Sequence, residues 1–350
     1  MRKVLLGCSG GVDSSTAIKL LLQQNYEVVI VHFSTWVFEQ KNFSNTKISQ
    51  IKEIANHFGV KYFHEDLRDV FYEKIVCNFI QEYLSGHTPN PCVNCNRNIK
   101  FKTLFDMAKE LGVDYISTGH YANIGMLNDR YFIKKGVDLQ KDQSYVLWQL
   151  PQEYLQKIIF PLGTFCKKDI KHIAKENNLY EFIDAKESED ICFLPNGDYR
   201  ALIREEKHEE VKKLKNGNFI FEGKIVGKHE GYPFYTIGQR TGLGVALGFP
   251  VFVEKIDKNT NEIFLGRDEN LWEDEMLVSN LNFQKYETVK NGFQCLAKIR
   301  YNDIGHECQL TWVDEKTIKV HFSEKVRAIT KGQSAVFYEN DDIVVGGIIV

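Results

Sequence analysis

Two groups of residues in this chain have the types and spacing to do covalent or phosphate chemistry. The first is Ser9-Gly10-Gly11-Val12-Asp13-Ser14-Ser15, lying between the short apolar run Lys3–Leu6 and a helical pattern that pairs Ala17 with Leu21 and Ile18 with Leu22. Glycines let a backbone turn tightly and approach an anion closely. A helix starting at that point adds unpaired N–H groups and the positive end of its dipole. Ser14 and Ser15 could add hydroxyl donors, and Asp13 could hold Mg²⁺ against a pyrophosphate. A glycine pair is also an ordinary strand-to-helix turn with Ser or Asp as cap, but the full S-G-G-x-D-S string is more specific. It has neither the Gly-Lys-Ser/Thr of a Walker A loop nor the G-x-G-x-x-G of a dinucleotide fold.

The second group is sulfur. Pro89-Asn90-Pro91 leads into Cys92-Val93-Asn94-Cys95. A C-x-x-C pair reads first as half of a zinc site, but the chain has no second C-x-x-C and no closely spaced histidine pair to complete one. Cys192 follows Glu187-Ser188-Glu189-Asp190-Ile191 and precedes Phe193-Leu194, in a predicted loop. Cys77, Cys166, Cys295 and Cys308 stand alone and read as inert buried thiols.

These groups need a frame. Val28–Phe33 is a continuous apolar run suited to a strand covered on both faces. Ile48, Ile51, Ile54, Ala55 and Phe58 share a helical face stopped by Gly59, and Lys61–His64 reads as the next strand. A helix carrying Ile99, Leu104, Phe105, Ala108 and Leu111, stopped at Gly112, leads to strand Tyr115–Thr118. Repeated strand–helix–strand units argue an α/β parallel sheet, whose ligands bind beyond the carboxyl ends of the strands.

After Tyr199 short strands take over. A hairpin is expected over Asn218–Phe221 and Lys224–Gly227 around Glu222-Gly223. Further strands are expected at Phe234–Ile237, Val251–Ile256, Glu262–Leu265, Gln294–Ile299, Cys308–Val313, Thr317–His321, Ala335–Tyr338 and Ile343–Val350. The pattern predicts a small central β-rich domain and a C-terminal barrel. The expected division is 1–199, 200–271 and 272–350, with a soft break near Trp272.

The chain has 350 residues, enough for two or three domains at roughly 100–200 residues each. Charged residues make up 26% and apolar types 43%, which excludes whole-chain disorder and a coiled coil. Lys and Arg number 44 against 47 acids, so a bulk polycation is excluded and any grip on nucleic acid must be a local patch. No apolar run approaches the ~20 residues of a membrane span, and Val4-Leu5-Leu6 is too short for a signal-peptide core. A cytosolic protein with no membrane partner is expected, its eight cysteines reduced or catalytic.

Taken together, the motifs resemble two nested families. The Ser9–Ser14 loop resembles the PP-loop of ATP pyrophosphatases, which split ATP into AMP and pyrophosphate while adenylating a substrate oxygen. Thr88-Pro89-Asn90-Pro91 with Cys95-Asn96, Thr118-Gly119-His120-Tyr121, Lys141-Asp142-Gln143-Ser144-Tyr145, Ile191-Cys192-Phe193, Tyr235-Thr236-Ile237-Gly238-Gln239-Arg240, and Arg327-Ala328-Ile329 with Gly332-Gln333 extend the likeness along the whole chain. In that order they resemble the tRNA-specific 2-thiouridylases, the MnmA/TrmU family.

The resemblance implies an N-terminal PP-loop domain of the adenine nucleotide alpha hydrolase type and ATP-dependent 2-thiolation of a wobble uridine. It implies ATP and Mg²⁺ as cofactors, with ATP held by Gly7, Cys8, Ser9, Gly10, Gly11, Val12, Asp13, Ser14, Phe33 and Gly119. Cys192 would carry a persulfide and Cys95 would complete transfer, the two ending in a transient disulfide. Asn90, Pro91 and Cys92 would contact the target base, and His120, Lys141, Asp142, Gln143, Arg300, Tyr301 and Gln333 would contact tRNA. The implied partners are tRNAs for lysine, glutamate and glutamine, and a cysteine desulfurase with relay proteins as sulfur donor.

The chain departs from the family pattern at Cys92, where many members carry Asp, and at Cys8 and Phe33, where Met is common. The Cys92 change opens a second expectation, in which Cys92, Cys95 and Cys192 ligate an iron–sulfur cluster, a [4Fe-4S] centre with an open iron that carries the sulfide. Two further readings are another PP-loop enzyme that passes ammonia to an adenylated carbonyl, and a non-catalytic RNA-binding module. The first has no use for Cys95 and Cys192, and the second none for an intact Ser9–Ser14 loop.

Overall fold

Strand β1 (Lys3–Gly7) buries Val4, Leu5 and Leu6 completely, as expected of a strand covered on both faces. Alternation sends their side chains to opposite sides. Leu5 joins Val29, Val31, Phe101 and Leu104 in one core, while Val4 and Leu6 join Ala17, Ile18, Leu21, Ile51 and Ile54 in another. The computed structural model describes residues 1–39, 45–179 and 191–350. Helix α1 (Val12–Gln23) and α2 (Asn45–Phe58) flank β2 (Glu27–Ser34) and β3 (Lys61–Asp66).

A helical layer follows: α3 (Arg68–Phe71), a wide π turn over Tyr72–Val76 and α4 (Cys77–Leu84), then α5 (Pro91–Cys95), a second π turn over Asn96–Lys100 and α6 (Phe101–Glu110). Strand β4 (Tyr115–Thr118) then pairs with β1 on the side opposite β2. The five-stranded sheet runs β3-β2-β1-β4-β7, every pair parallel, with β7 at Ile158–Ile159. The strand order therefore reverses between β1 and β4, where Gly7 stands opposite Thr118. A crevice opens at the carboxyl ends of strands at such a reversal.

Between β4 and β7 lies a hairpin that the sequence pattern does not announce, β5 (Ala122–Leu127) and β6 (Arg130–Lys135). It leaves the parallel sheet and pairs with the last strand of the C-terminal barrel, Lys134 opposite Asp342. After a short turn α7 (Gln152–Leu155), helix α8 (Lys167–Glu176) packs Ile170 and Ala174 into the core beside α1.

The expected central hairpin is β8 (Gly217–Phe221) and β9 (Lys224–His229), which with β10 (Phe252–Asp257) and β11 (Glu262–Gly266) forms a four-stranded sheet over Phe219, Val253, Ile263 and Leu265. The expected strand Phe234–Ile237 is not one. Tyr232–Phe234 is a 3-10 turn in which Pro233 lacks a donor for a ladder. Its apolar residues are pegs instead: Tyr232 enters the core of the central sheet, and Phe234 enters that of the helical layer with Phe79, Tyr83 and Leu202.

The barrel strands are β12 (Trp272–Phe283), β13 (Phe293–Lys298), β14 (His306–Trp312), β15 (Ile318–Arg327), β16 (Ser334–Glu339) and β17 (Asp342–Ile349). They run β12-β15-β14-β13-β16-β17, and β12 pairs again with β17 to close the cylinder. The α/β sheet followed by β modules and a barrel is the fold class expected from sequence. The first strand of the barrel, β12, was not among the expected strands.

Barrel and sheet share a core: Tyr145, Trp148, Ile133, Val336, Tyr338 and Ile343 pack together. Gln284, fully buried, accepts from Ile133 N at 2.9 Å and donates to the main-chain oxygens of Leu147 and Trp148 at 3.2 and 2.9 Å. A buried amide with its hydrogen-bonding groups engaged fixes orientation as well as contact. Among the described residues no helix is long and apolar enough to cross a membrane.

Candidate active site

The chain passes from β1 to α1 through Cys8–Gly11. Gly10 sits at φ +78°, and a Cβ there would meet the Ile51 side chain at 3.0 Å, so the turn needs glycine. Ser14 Oγ organises the loop: it accepts from Ser9 N at 3.2 Å, lies 3.2 Å from Ser9 Oγ and donates to Gly11 O at 3.2 Å. The hydroxyl of Ser15, expected as a phosphate donor, is buried and donates to Gly11 O at 2.9 Å. Both serine hydroxyls thus serve the loop itself, which leaves main-chain amides as the groups open to an anion. The first main-chain bond of α1 is Ser15 N to Gly11 O at 3.1 Å, and the amides ahead of it project from the helix end.

Cys8 and Val12 are buried in this wall, and desolvation raises the Cys8 thiol above its ordinary pKa. Gly119, just past β4, abuts the loop so closely that a Cβ would lie 3.0 Å from Ser14 N and 3.2 Å from Asp13 C. Phe33, next to last in β2, is half-buried and packs on the core under the sheet.

Asp13 does not stand open. Lys167 Nζ lies 2.8 Å from its Oδ1 and 2.7 Å from its Oδ2, and the Tyr121 hydroxyl donates to Oδ1 at 2.7 Å. Asp13 can serve as one carboxylate for a Mg²⁺ that takes its remaining oxygens from phosphate and water, provided Lys167 yields.

The cysteine segment begins at α5 with Pro91 in its first turn, where the missing N–H costs nothing. Asn94 Nδ2 donates to Asn78 Oδ1 at 3.1 Å and Lys74 O at 3.3 Å, and Asn96 Nδ2 donates to Val146 O at 3.0 Å, which fix the segment against its neighbours. Cys95 is buried, and burial pushes its thiol up to about 12, with Lys100 opposing and the other two thiols adding. Cys92 opens to the surface, yet the crowded recess around its sulfur raises its thiol by desolvation. Cys192 is exposed, held in place by Phe193, whose ring lies 5.8 Å from Phe71 and 5.3 Å from Phe79. Glu187, Ser188, Glu189 and Asp190 lie outside the described residues. Of the cysteines expected to be buried, Cys308 is; Cys77 is exposed, and Cys166 and Cys295 are intermediate.

Lys100 is the group that sequence reasoning passed over. Burial works against its charge, but Cys95, Cys192 and Cys92 together outweigh this and hold its pKa above the ordinary lysine value. One ammonium is therefore in electrostatic range of all three thiols. His120 stands beside it, its ring 5.8 Å from Phe101 and its Nδ1 2.7 Å from Thr118 Oγ1. Burial, then Lys100, lower His120 to about 3, so it is neutral at physiological pH. Among the described residues no group of three His, Cys, Asp or Glu is arranged to hold a metal ion. The three thiols share one electrostatic neighbourhood around Lys100.

The remaining expected residues divide between surface and scaffold. Arg300 and Tyr301 are exposed on the loop after β13, and Lys141 is half-buried. Asp142 is buried, its carboxylate accepting from Gly136 N, Ser144 N and Ser144 Oγ at 3.0, 3.1 and 2.7 Å. Gln143 Oε1 accepts from Tyr121 N at 3.0 Å. Gln333 Nε2 donates to Thr88 O at 2.7 Å and Pro89 O at 3.3 Å, just ahead of Asn90 and Pro91. Asp142, Gln143 and Gln333 thus use these side-chain groups on the protein itself. The partners of Gln143 and Gln333 come from other elements, so spacing gave no sign of them, whereas those of Asp142 lie within six residues of it.

Residues 2–196 match the family profile described as the tRNA methyl transferase HUP domain, residues 207–267 the tRNA methyl transferase PRC-barrel domain, and residues 273–350 the aminomethyltransferase beta-barrel domain. The chain is 42% identical to the tRNA-specific 2-thiouridylase MnmA of Cytophaga hutchinsonii, over 99% of this chain and 97% of that protein. It is also 42% identical to the enzyme of the same name from Amoebophilus asiaticus, over 99% and 95%. The tRNA-specific 2-thiouridylase MnmA 1 of Clostridium botulinum is 40% identical over 99% of both chains. With a family profile over residues 2–196 and relatives this similar along almost every residue, the chain belongs to the tRNA-specific 2-thiouridylase family of PP-loop sulfurtransferases.

Proposed function

We propose that this enzyme uses ATP to convert the wobble uridine of tRNA to 2-thiouridine, activating the C2 oxygen as an adenylate and then delivering sulfur from a persulfide on Cys192. The observation that carries the reading is the pair Gly119–His120. Gly119 abuts the Ser14 amide of the phosphate loop, and the next residue packs beside Phe101 and feels the charge of Lys100. Two adjacent residues bridge the nucleotide loop and the thiol cluster, so an adenylated base could be reached by sulfur without leaving the crevice.

The uridine C2 carbonyl is a poor electrophile whose leaving group would be oxide. Adenylation makes AMP the leaving group, and the amides at the start of α1 stabilise charge on the phosphates. Asp13 would hold Mg²⁺, which supplies further charge neutralisation at the pyrophosphate. The terminal persulfide sulfur of Cys192 attacks C2, and the C2–O bond breaks as AMP departs. The Cys95 thiolate then attacks the inner sulfur of Cys192. A Cys95–Cys192 disulfide forms, and the S–S bond to the transferred sulfur breaks with its electron pair, leaving thiouridine. Lys100 offsets part of the burial that raises the Cys95 thiol and so works toward the thiolate that its attack needs. The target base must leave the anticodon stack to reach the thiols.

Asn90, Pro91 and Cys92 flank the base, and Arg300, Tyr301 and Lys141 meet the RNA. Lysine, glutamate and glutamine tRNAs are the substrates, and a cysteine desulfurase, directly or through relay proteins, loads Cys192. The test is incubation with unmodified tRNA, ATP, Mg²⁺ and a persulfide donor. AMP and pyrophosphate should appear in step with an oxygen-to-sulfur mass change at the wobble base. AMP formation stimulated by a small acid and ammonia, and indifferent to tRNA, would overturn the assignment.

A further inference from the structure

Lys167 stands where the phosphate loop and α8 meet, 154 residues from its carboxylate partner in sequence. Its main-chain N–H donates to Asp138 Oδ2 at 2.9 Å, which fixes the start of α8, and Ile170 and Ala174 anchor that helix in the core shared with α1. The side chain is only 12% exposed, and its ammonium spans both oxygens of Asp13, at 2.8 and 2.7 Å. It also lies 5.7 Å from the centre of the Tyr121 ring.

Asp13 is the second residue of α1, so this ammonium is held within the first turn of the helix whose leading amides lack main-chain partners. A structural ion pair needs no such location. A polyphosphate arriving at those amides meets the Asp13 carboxylate, and like charges in a partly dehydrated crevice repel strongly. The neighbouring cation that can relieve the repulsion is the one already bound to Asp13. A lysine ammonium on its flexible stem can exchange one oxyanion for another with little rearrangement.

We propose that Lys167 is a phosphate-binding residue of the nucleotide site, held on Asp13 when the loop is empty and transferred to phosphate oxygens when it is filled. The inference rests on the nucleotide reading above and adds to it a residue that no local motif contains. It also gives Asp13 two successive partners, the ammonium first and the metal afterwards.

The test is calorimetric binding of inorganic pyrophosphate without Mg²⁺, comparing Asp13→Asn with the double variant Asp13→Asn/Lys167→Met. Removing the Asp13 charge from both proteins isolates direct contact by the lysine from simple exposure of a carboxylate. The single variant should bind at least tenfold tighter than the double variant, and Lys167→Gln in the same background should match Lys167→Met. Retained tRNA binding certifies the fold of each variant. Equal pyrophosphate affinities of Asp13→Asn and either double variant overturn the role of Lys167 while leaving the nucleotide site standing. Failure of the wild type to bind ATP or pyrophosphate would remove the site itself.

Discussion

Gln333, in the turn that opens β16 of the barrel, donates its side-chain amide to Thr88 O at 2.7 Å and Pro89 O at 3.3 Å, two residues before the Asn90-Pro91 start of the cysteine helix. Thr88 N in turn donates to Lys331 O at 3.0 Å. The preceding Gly332 is so close that a Cβ there would lie 2.7 Å from His87 Cβ. The barrel therefore shapes the approach to the thiols directly. Gln333→Ala removes hydrogen bonds worth roughly 0.5–1.5 kcal/mol each. It should lower the rate of thiolation about two- to tenfold while changing tRNA affinity little. Single-turnover thiolation measured beside filter binding checks this, and a pure affinity loss would return Gln333 to the RNA surface.

Gly119→Ala tests the crevice from the other side. Its Cβ would press on main-chain atoms of Asp13 and Ser14, which cannot rotate away. ATP affinity should fall tenfold or more with tRNA binding intact, as read by calorimetry with a non-hydrolysable analogue. Unchanged ATP affinity would mean that the loop yields or that ATP does not use it.

The three thiols should separate by function. Cys192→Ser and Cys95→Ser should each abolish 2-thiouridine, since in the proposed relay one carries sulfur and the other resolves the persulfide. Cys92→Ser should keep measurable activity when persulfide is supplied, because a relay needs only two thiols. Iron content and visible absorption of anaerobically purified protein complete the test. A brown wild type with a colourless, inactive Cys92→Ser variant would replace the relay with a cluster.

Binding of tRNA should weaken with salt despite the net charge of −3, because phosphate contacts release condensed counterions. Each Lys or Arg contact removed should reduce the slope of log affinity against log salt by about 0.7–0.9. Arg300 donates one bond to Arg327 O at 2.8 Å and is exposed. An Arg300→Ala variant with unaltered affinity and slope would move the RNA surface elsewhere.

Stability should fall on mild acidification. Burial first, in both cases, lowers His120 to about 3 and His229 to about 4, from an ordinary value of 6.5. Above pH 6.5 both folded and unfolded chains hold these rings neutral, and their contribution is complete. As pH drops below that value the unfolded chain gains protons that the folded chain refuses, so stability declines until the folded pKa values are reached. The limiting slope is about 1.4 kcal/mol per pH unit for each ring. His229→Gln should flatten the change in urea midpoint between pH 7 and 5; an unaltered slope would assign it to other groups.

What the sequence determined by itself is whatever a short stretch of chain can specify. The run Val4-Leu5-Leu6 followed by Gly10-Gly11 and an amphipathic helix sets a strand, a turn and a helix start through local backbone and solvation preferences alone. The same holds for the hairpin at Glu222-Gly223 and for most barrel strands, whose alternating faces require a core. The tertiary structure decided the pairings between distant residues. Lys167 meets Asp13, Gln333 meets Thr88, and Cys192 comes within electrostatic range of Lys100, each across separations over which a sequence carries no period. It likewise turned Ser15 inward and made Tyr232 and Phe234 pegs between cores instead of a strand. The physical reason is the same in each case. A hydrogen bond or charge pair between remote elements forms only after hydrophobic packing has fixed where those elements lie, and that packing is a property of the whole chain.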